Sequence, residues 1–416
     1  MSLSRVLMLG AVLLVLVLLD WYVLGTVRHW AQGGGGFRRA VWGVVLGLTV
    51  LSAVSLVAML VAPMAIAPTV RNFLITFIVA NFFIKLFVAL FLLIDDLVRL
   101  GRWAWHKLQP DRSAPAGGEA IPRSEFLVRT ALVAGAVPLV GFSWGILSGA
   151  HDYRLRRHRI VLPNLPRAFE GVRVAQLSDI HSGSFFNKTA VRGGIEMLLG
   201  ERPDVVLFTG DIVNNRADEM REYQDVFAKV KAPLGVYSVF GNHDYGDYVQ
   251  WESEAAKRQN LADLAQVHQQ MGWDLLRDEH RLLEVDGESI AVLGIENWGA
   301  KGRFPKYGDL AKARSGAAEQ PIKILMSHDP SHWDAQVRPE FPDVDLMLSG
   351  HTHGMQFGVD SKYLKWSPVQ YMYEQWAGLY QKGPQQLYVN RGFGYLGYPG
   401  RLGMLPEITI LELTRG

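Results

Sequence analysis

Four long apolar stretches dominate the first part of the chain, at residues 3–24, 40–61, 73–94 and 126–147. Each is long enough to cross about 30 Å of hydrocarbon as a helix. The first is broken only by Ser4, Arg5 and Asp20, the third by Thr76, Asn81 and Lys85, and the fourth is diluted by Gly135, Pro138, Gly141, Ser143 and Gly145. The first run exceeds the apolar core of a signal peptide and three more follow it, so a retained helix is expected. Prolines at both ends of 63–68 suit a tight turn, making spans two and three a hairpin. Residues 32–36 and 109–118 read as Gly- and Pro/Gly/Ala-rich linkers. From residue 172 the pattern changes to short apolar runs at 172–177, 204–208, 235–240, 290–295, 322–326 and 345–348, alternating with helical stretches. That alternation predicts an α/β domain. The expected organisation is a membrane domain over 1–150 with four transmembrane helices, then a catalytic domain over 151–416.

Two features inside the apolar stretches stand out. Asn81 and Lys85 share a helical face, and a lysine within a span is a functional hypothesis that needs a partner, with Asp20, Asp95 and Asp96 as candidates. A packing contact or a side chain reaching toward the interface is the plainer explanation. Gly141, Gly145 and Gly149 stand four apart, a spacing that admits a second helix closely. A glycine-rich exit from the membrane accounts for them equally well.

Composition narrows the function. The chain has 416 residues, a net charge of +2 and no cysteine. The charge is too small and too dispersed for a nucleic-acid surface, and the missing cysteines exclude disulfides, thiolate metal sites and cysteine nucleophiles.

Five motifs then appear in order: Asp179-Ile180-His181, Gly210-Asp211, Gly241-Asn242-His243-Asp244, Ser327-His328 and Gly350-His351-Thr352-His353-Gly354. They offer three oxygen ligands (Asp179, Asp211, Asn242) and four imidazoles (His181, His328, His351, His353). This mixture suits borderline divalent metals such as Mn, Fe or Zn. Seven ligands exceed one ion's needs, so two metals sharing a carboxylate, with Asp211 as the bridging candidate, fit better. Each motif directly follows an expected strand, where sites in α/β sheets form. Gly210, Gly241 and Gly350 let backbone pass close to the metals. His268, His280 and His332 sit in no motif and read as structural or solvent-facing, His332 with a possible reach to substrate. Tyr363, Trp366, Tyr371, Tyr373, Trp376 and Tyr380 form an aromatic segment suited to the core, to a ligand wall or to a membrane interface.

At these motifs the chain resembles the calcineurin-like metallophosphoesterases, whose pattern is D-x-H, G-D, G-N-H-D/E, a lone His, then G-H-x-H. The likeness runs over about 162–413 and is greatest to exported bacterial members that follow a twin-arginine-type signal. The resemblance implies two mixed β-sheets packed as a sandwich flanked by helices. It implies one metal held by Asp179, His181, Asp211 and His353, the other by Asp211, Asn242, His328 and His351, with a bridging hydroxide as nucleophile. It also implies that His243 assists the leaving oxygen while Asp244 orients the His243 ring.

The expected activity is metal-dependent hydrolysis of a phosphodiester or pyrophosphate, with a lipid-linked sugar pyrophosphate or envelope polymer as the favoured substrate. An anchored phosphodiesterase or phosphomonoesterase for soluble substrates such as nucleotides is the alternative, and a non-catalytic membrane sensor a more distant one. No nucleic-acid partner is expected. The loops after spans one and three carry nine Lys/Arg against six on the other side. The positive-inside rule therefore places the catalytic domain at the outer face of a bacterial cytoplasmic membrane. The lead-in at 124–127 resembles a decayed export signal and agrees.

Overall fold

The computed structural model describes residues 3–61, 66, 68–108, 125–302 and 304–416. The chain divides into two compact units, Met1–Trp144 and Gly145–Gly416. The expected turn at 63–68 lies largely outside the described residues, as does all of the 109–118 linker and residue 124 of the lead-in.

The first unit is helical: α1 (Leu3–Gln32), α2 (Gly36–Val61), α3 (Pro68–Leu108) and α4 (Glu125–Leu147), the last running into the second unit. Four stretches are long and apolar enough to cross a membrane, Leu13–Gln32, Gly36–Val61, Val70–Trp105 and Glu125–His151. The third helix is longer than expected. At 1.5 Å per residue its 41 residues extend about 60 Å, twice the hydrocarbon thickness. Val23 and Val27 of α1 pack with Val88 and Leu92 of α3 and Val128 and Ala131 of α4. Large side chains such as Leu14, Val17, Val44 and Val57 point outward, as lipid-facing positions do.

Lys85 finds its partner in Asp20, with Thr49 Oγ1 2.7 Å from Nζ, while Asn81 Nδ2 donates to Ser52 Oγ at 2.8 Å. Asp96 instead accepts from Tyr22 and Arg99. The glycine expectation changes. Helix approach occurs at Gly135, where an added Cβ would lie 2.6 Å from Val88 Cγ2. Gly145 and Gly149 instead admit the C-terminal loop: a Cβ there would lie 2.2 Å from Tyr398 Oη and 2.0 Å from the Arg401 carbonyl respectively.

The second unit holds two six-stranded sheets. One consists of β1 (Arg154–Val161), β2 (Arg173–Leu177), β3 (Val205–Phe208), β4 (Val236–Ser238), β5 (Asp274–Leu275) and β14 (Glu407–Thr414), in the order β1-β14-β2-β3-β4-β5. The other consists of β6 (Glu279–Val285), β7 (Glu288–Gly294), β8 (Lys323–Met326), β9 (Leu346–Ser349), β12 (Gly378–Lys382) and β13 (Gln385–Val389), in the order β12-β13-β9-β8-β7-β6. A separate two-stranded hairpin, β10 (Val359–Asp360) and β11 (Lys365–Trp366), stands apart.

Both sheets are mixed. Strands β2 to β5 run parallel while β14 pairs antiparallel with β2; β7, β8 and β9 run parallel while β6 pairs antiparallel with β7. Alternation along each strand decides the layers. Val174, Val205 and Leu207 meet Val292, Ile324 and Leu348 between the sheets. Ala175, Val206 and Phe208 face the other way, onto the helices Lys188–Gly200 and Glu254–Met271 through Val191, Ile195 and Leu264. Leu293, Leu325 and Met347 do the same for Leu310, Trp333 and Val337. The result is the expected sandwich of two mixed sheets flanked by helices.

Candidate metal centre

The ligand candidates sit where parallel strands end. β2 leads into Asp179 and His181, β3 into Asp211, β4 into Asn242 and His243, β8 into His328, and β9 into His351 and His353. Carboxyl ends of parallel strands from both sheets therefore converge on one cleft of about 400 Å³.

Five of the seven bear a left-handed backbone: Asp179 (φ 52°), His181 (50°), Asp211 (60°), His351 (71°) and His353 (52°). For residues with a Cβ such conformations cost about 1–3 kcal/mol each and persist only where the surroundings impose them. Here they are imposed by hydrogen bonds. Asp179 N donates to the Gly210 carbonyl at 2.9 Å and His181 N to the Asp211 carbonyl at 3.1 Å. The Asp244 carboxylate accepts from the amides of Gly241 (2.8 Å), Asp211 (2.9 Å), Ile212 (2.9 Å) and Val213 (3.3 Å). Gly350 is required by proximity, since a Cβ would lie 1.9 Å from Ser178 Oγ and 2.1 Å from Asp179 Oδ2.

Asp244 thus does something other than orient His243. Its carboxylate turns into the 210–213 loop, while His243 Nδ1 lies 2.8 Å from the Asn214 carbonyl, which sets that ring. The correction has a simple cause. Consecutive side chains diverge, and four amides satisfy a buried carboxylate better than one imidazole does.

Candidate ligand atoms crowd together. In the triads Asp179–His181–His353 and Asp179–Asp211–His328 they all lie within 4.8 Å of one another. His181 Nε2 is 3.0 Å from His353 Nε2, which is 3.2 Å from Asp179 Oδ1. Asp211 Oδ2 stands between two imidazoles, 3.1 Å from His328 Nε2 and 3.6 Å from His181 Nε2. Asn242 Oδ1 lies 2.8 Å from His351 Nδ1 and 3.1 Å from His328 Nε2. The amide is turned that way because its Nδ2 donates to Tyr248 Oη at 2.8 Å. His328 Nδ1 faces the Thr209 carbonyl at 2.8 Å, which leaves Nε2 as the ligand nitrogen. Imidazole, carboxylate and amide donors without sulfur fit divalent cations of intermediate softness.

The electrostatics agree. Burial would raise Asp211, yet the His328 and His243 rings hold its carboxyl well below the usual range. Burial would lower His328, yet Asp211 and Asp179 raise it to about 10. Burial keeps His181 and His351 below their ordinary values. With ionised carboxylates around it, a proton on His328 stands where a cation would serve better.

Five partners were not legible as such. Tyr373 Oη lies 2.9 Å from His351 Nε2 and 3.5 Å from Asp329 Oδ2, linking a carboxylate through a phenol to a ligand ring. Asp329 follows His328 directly, which was the available signal. Asn214 and Tyr248 carried none. Arg401 is fully buried and donates to the carbonyls of Arg391, Gly394 and Met404, with NH2 3.1 Å from His353 Nδ1. His332 and His268 are core residues, bonded to Ser327 and Gln336 and to Ser238 respectively, and His280 is half-buried beside the Ala313 carbonyl. Of the aromatic segment, Tyr373 and Trp376 are buried while Tyr363 and Tyr371 are exposed.

Residues 172–355 match the family model of the calcineurin-like phosphoesterases, and residues 4–150 match that of a probable calcineurin-like phosphoesterase transmembrane domain. The chain belongs to the calcineurin-like metallophosphoesterases. Similar curated proteins include an uncharacterised metallophosphoesterase, YkuE, of Bacillus subtilis (strain 168), 29% identical over 68% of this chain and 93% of its own length. A transmembrane protein with a metallophosphoesterase domain from Danio rerio is 29% identical over 76% of this chain and 68% of its own. An uncharacterised metallophosphoesterase of Helicobacter pylori (strain ATCC 700392 / 26695) is 28% identical over 66% and 68%. Among solved structures, a 5'-nucleotidase precursor from Thermus thermophilus aligns with a TM-score of 0.35 at 11% identity, over 58% of this chain and about half (54%) of that one. This metallophosphoesterase is thus a membrane protein and a phosphoester hydrolase with a candidate metal site. Tyr373 and Arg401 lie beyond the matched stretch.

Proposed function

We propose that this metallophosphoesterase hydrolyses a phosphodiester or pyrophosphate of a lipid or envelope component, using two divalent ions of Mn, Fe or Zn. One ion is assigned to Asp179, His181, Asp211 and His353, the other to Asp211, Asn242, His328 and His351. The observation that carries the reading is the placement of Asp211 Oδ2 between His181 Nε2 and His328 Nε2, the position a shared ligand would take. When bound, such a pair lowers the pKa of coordinated water and polarises phosphoryl oxygens.

The chain's own residues supply the rest. His243 lines the cleft with Nδ1 donating to the Asn214 carbonyl, so Nε2 is the nitrogen left for the substrate, and the doubly protonated ring would give its Nε2 proton to the departing oxygen. Its ring leans on Tyr248 at 4.5 Å, which limits its rotation. Phe304, Met355, Val369, Met372 and Leu396 line the cleft together with the ligand candidates. That apolar lining supports a substrate with an apolar portion. Residues 1–150 form the membrane domain in this reading and 151–416 the catalytic domain, at the outer face.

Full-length protein in detergent, assayed for bound metal and for turnover of an aryl phosphodiester and of lipid phosphoesters, tests it. Two ions per chain, loss of turnover on chelation and its return with Mn are expected. No turnover by protein shown to hold two ions would end the catalytic reading, and turnover of soluble diesters with none of any lipid phosphoester would end the substrate reading.

A further inference from the structure

The hairpin β10–β11 reverses the usual arrangement of a surface loop. Its polar residues hold it down and its apolar residues face out. Asp360, nearly buried, pairs with Arg156 and with Arg391 Nε at 3.2 Å, and Arg391 in turn pairs with the buried Glu407. Lys365 Nζ donates to the Ala377 carbonyl. The tip is closed by Ser361, whose Oγ accepts from Leu364 N at 3.0 Å and whose own amide donates to the Leu364 carbonyl at 2.9 Å. On this fixed pedestal Tyr363 is 91% exposed and Leu364 54%.

The exposed apolar surface is continuous with the metal cleft. The Phe357 ring meets Trp366 edge-on at 6.2 Å, and Trp366 Nε1 reaches Tyr371 Oη at 3.5 Å. Tyr371 is 78% exposed, and its neighbour Met372 lines the cleft together with Met355, both also open to solvent. An apolar band therefore runs from the hairpin tip to the cleft mouth. Isolated exposed apolar side chains are ordinary, but a contiguous band marks a surface that meets something.

We propose that this band, led by Tyr363 and Leu364, dips into the lipid–water interface and sets the cleft mouth on the bilayer surface. Its chemistry fits lipid better than protein. Tyrosine and tryptophan with their polar ends outward are the residues of membrane interfaces. Lysines stand among them, Lys362 beside Tyr363 (5.9 Å) and Lys301 beside Tyr373 (5.3 Å), where lysine is depleted from protein contacts but favoured next to anionic headgroups. The chain is itself a membrane protein, so a bilayer is always at hand. A phosphoester carried by a lipid could then enter along Met355 and Met372 without leaving the interface. That last consequence rests on the substrate reading above, whereas the insertion does not.

The absence of cysteine from the chain gives a direct test. Full-length Tyr363→Cys carries a single environment-sensitive dye after labelling, and Glu319→Cys, on an exposed polar surface, serves as control. Both are reconstituted into vesicles of phosphatidylethanolamine and phosphatidylglycerol, with and without bromine on the acyl chains. Quenching at 363, none at 319, and no dependence on protein density are expected. No quenching at 363, or quenching that appears only at high protein density as contact between two copies would give, overturns the proposal. In the same vesicles the Tyr363→Asp/Leu364→Asp variant should lose about tenfold in turnover of a lipid-borne phosphoester while an aryl diester is cleaved as before. Equal loss on both substrates would mean the hairpin supports the fold rather than the interface. If neither substrate is cleaved by the parent protein, the functional reading fails and the quenching result still decides insertion.

Discussion

The two units of this metallophosphoesterase bury polar side chains in opposite ways. Between the helices of the first unit Lys85 is met by Asp20 and Thr49, and the Asn81 amide nitrogen by Ser52. At the strand ends of the second unit, carboxylate, amide and imidazole ligand candidates crowd against one another. The His181 and His353 ring nitrogens stand 3.0 Å apart, and the Asp211 carboxylate oxygen sits between His181 and a third ring, His328. In a low-dielectric interior an unmatched set of this kind is costly, and it persists on a backbone that is itself strained at five positions. Matched polarity maintains a structure. Mismatched polarity, held rigidly, is poised for a cation.

The contrast is broken most severely at Asp211. Asp211→Asn removes the charge that faces both rings, and turnover of an aryl phosphodiester should fall by about 10³-fold or more, with loss of bound metal. A variant that keeps two ions and its activity would show that the mismatch has no such purpose. Next come the adjacent residues His243 and Asp244, whose side chains make separate contacts. His243→Ala should lower kcat by about 10²–10⁴-fold with metal content and melting temperature unchanged. Asp244→Ala leaves four buried amides without an acceptor, so it should lower the melting temperature and the metal content together. Identical behaviour of the two variants would restore Asp244 as an orienting partner of the ring.

That pair also shows where sequence reading reaches its limit. The motifs are local, and a strand followed by Asp, Asn or His needs only neighbouring residues to be recognised, so the seven ligand candidates and the strands beneath them were legible. Partner choice is not local. Asp244 looks bound to His243 by adjacency, yet its acceptors are engaged by a loop some thirty residues away in sequence, from Asp211 to Val213. The parallel pairing of β1 with β14 joins Arg154 to Glu407, and strand β1 reads as a basic surface segment until its partner is known. The long α3 and the hairpin tip were missed for a related reason: apolar periodicity finds a span or a core but does not say which apolar residues stay outside.

Tyr373 sharpens the contrast from the rim of the site. Its hydroxyl bridges Asp329 and His351, so Tyr373→Phe deletes both of these hydrogen bonds and leaves the ring in place. A change of this kind behind a ligand histidine weakens metal affinity by about 10–100-fold. Titration of metal-stripped variant and parent protein with Mn should show the loss at one of two ions. Equal affinity at both would reduce Tyr373 to a packing residue.

Histidines outside the centre should behave as neutral core groups. Burial lowers His268 to about 3 and His332 to about 4, against 6.5 in an unfolded chain. Between those values the unfolded state binds the extra protons, so the stability these residues contribute is complete above pH 6.5 and is lost as pH falls toward 4 and then 3. Thermal melts of metal-free protein from pH 7.5 to 4.5 should show the decline, and His268→Leu should make it shallower. An unchanged slope in that variant would assign the acid limb to other groups.

The smallest effect is expected where polarity is matched by neutral groups inside the membrane unit. Asn81 Nδ2 donates to Ser52 Oγ at 2.8 Å, one turn from Lys85. Hydrogen bonds between membrane helices contribute only about 0.6 kcal/mol on average, because an unfolded chain in a bilayer also finds partners. A double-mutant cycle of Asn81→Leu and Ser52→Ala, read by unfolding in mixed micelles, should return a coupling of that size and leave aryl diester turnover alone. A coupling several times larger, or any loss of hydrolysis, would mean that the polar pair in the helices shares work with the catalytic unit, and the division between matched and mismatched polarity would no longer follow the boundary between the two units.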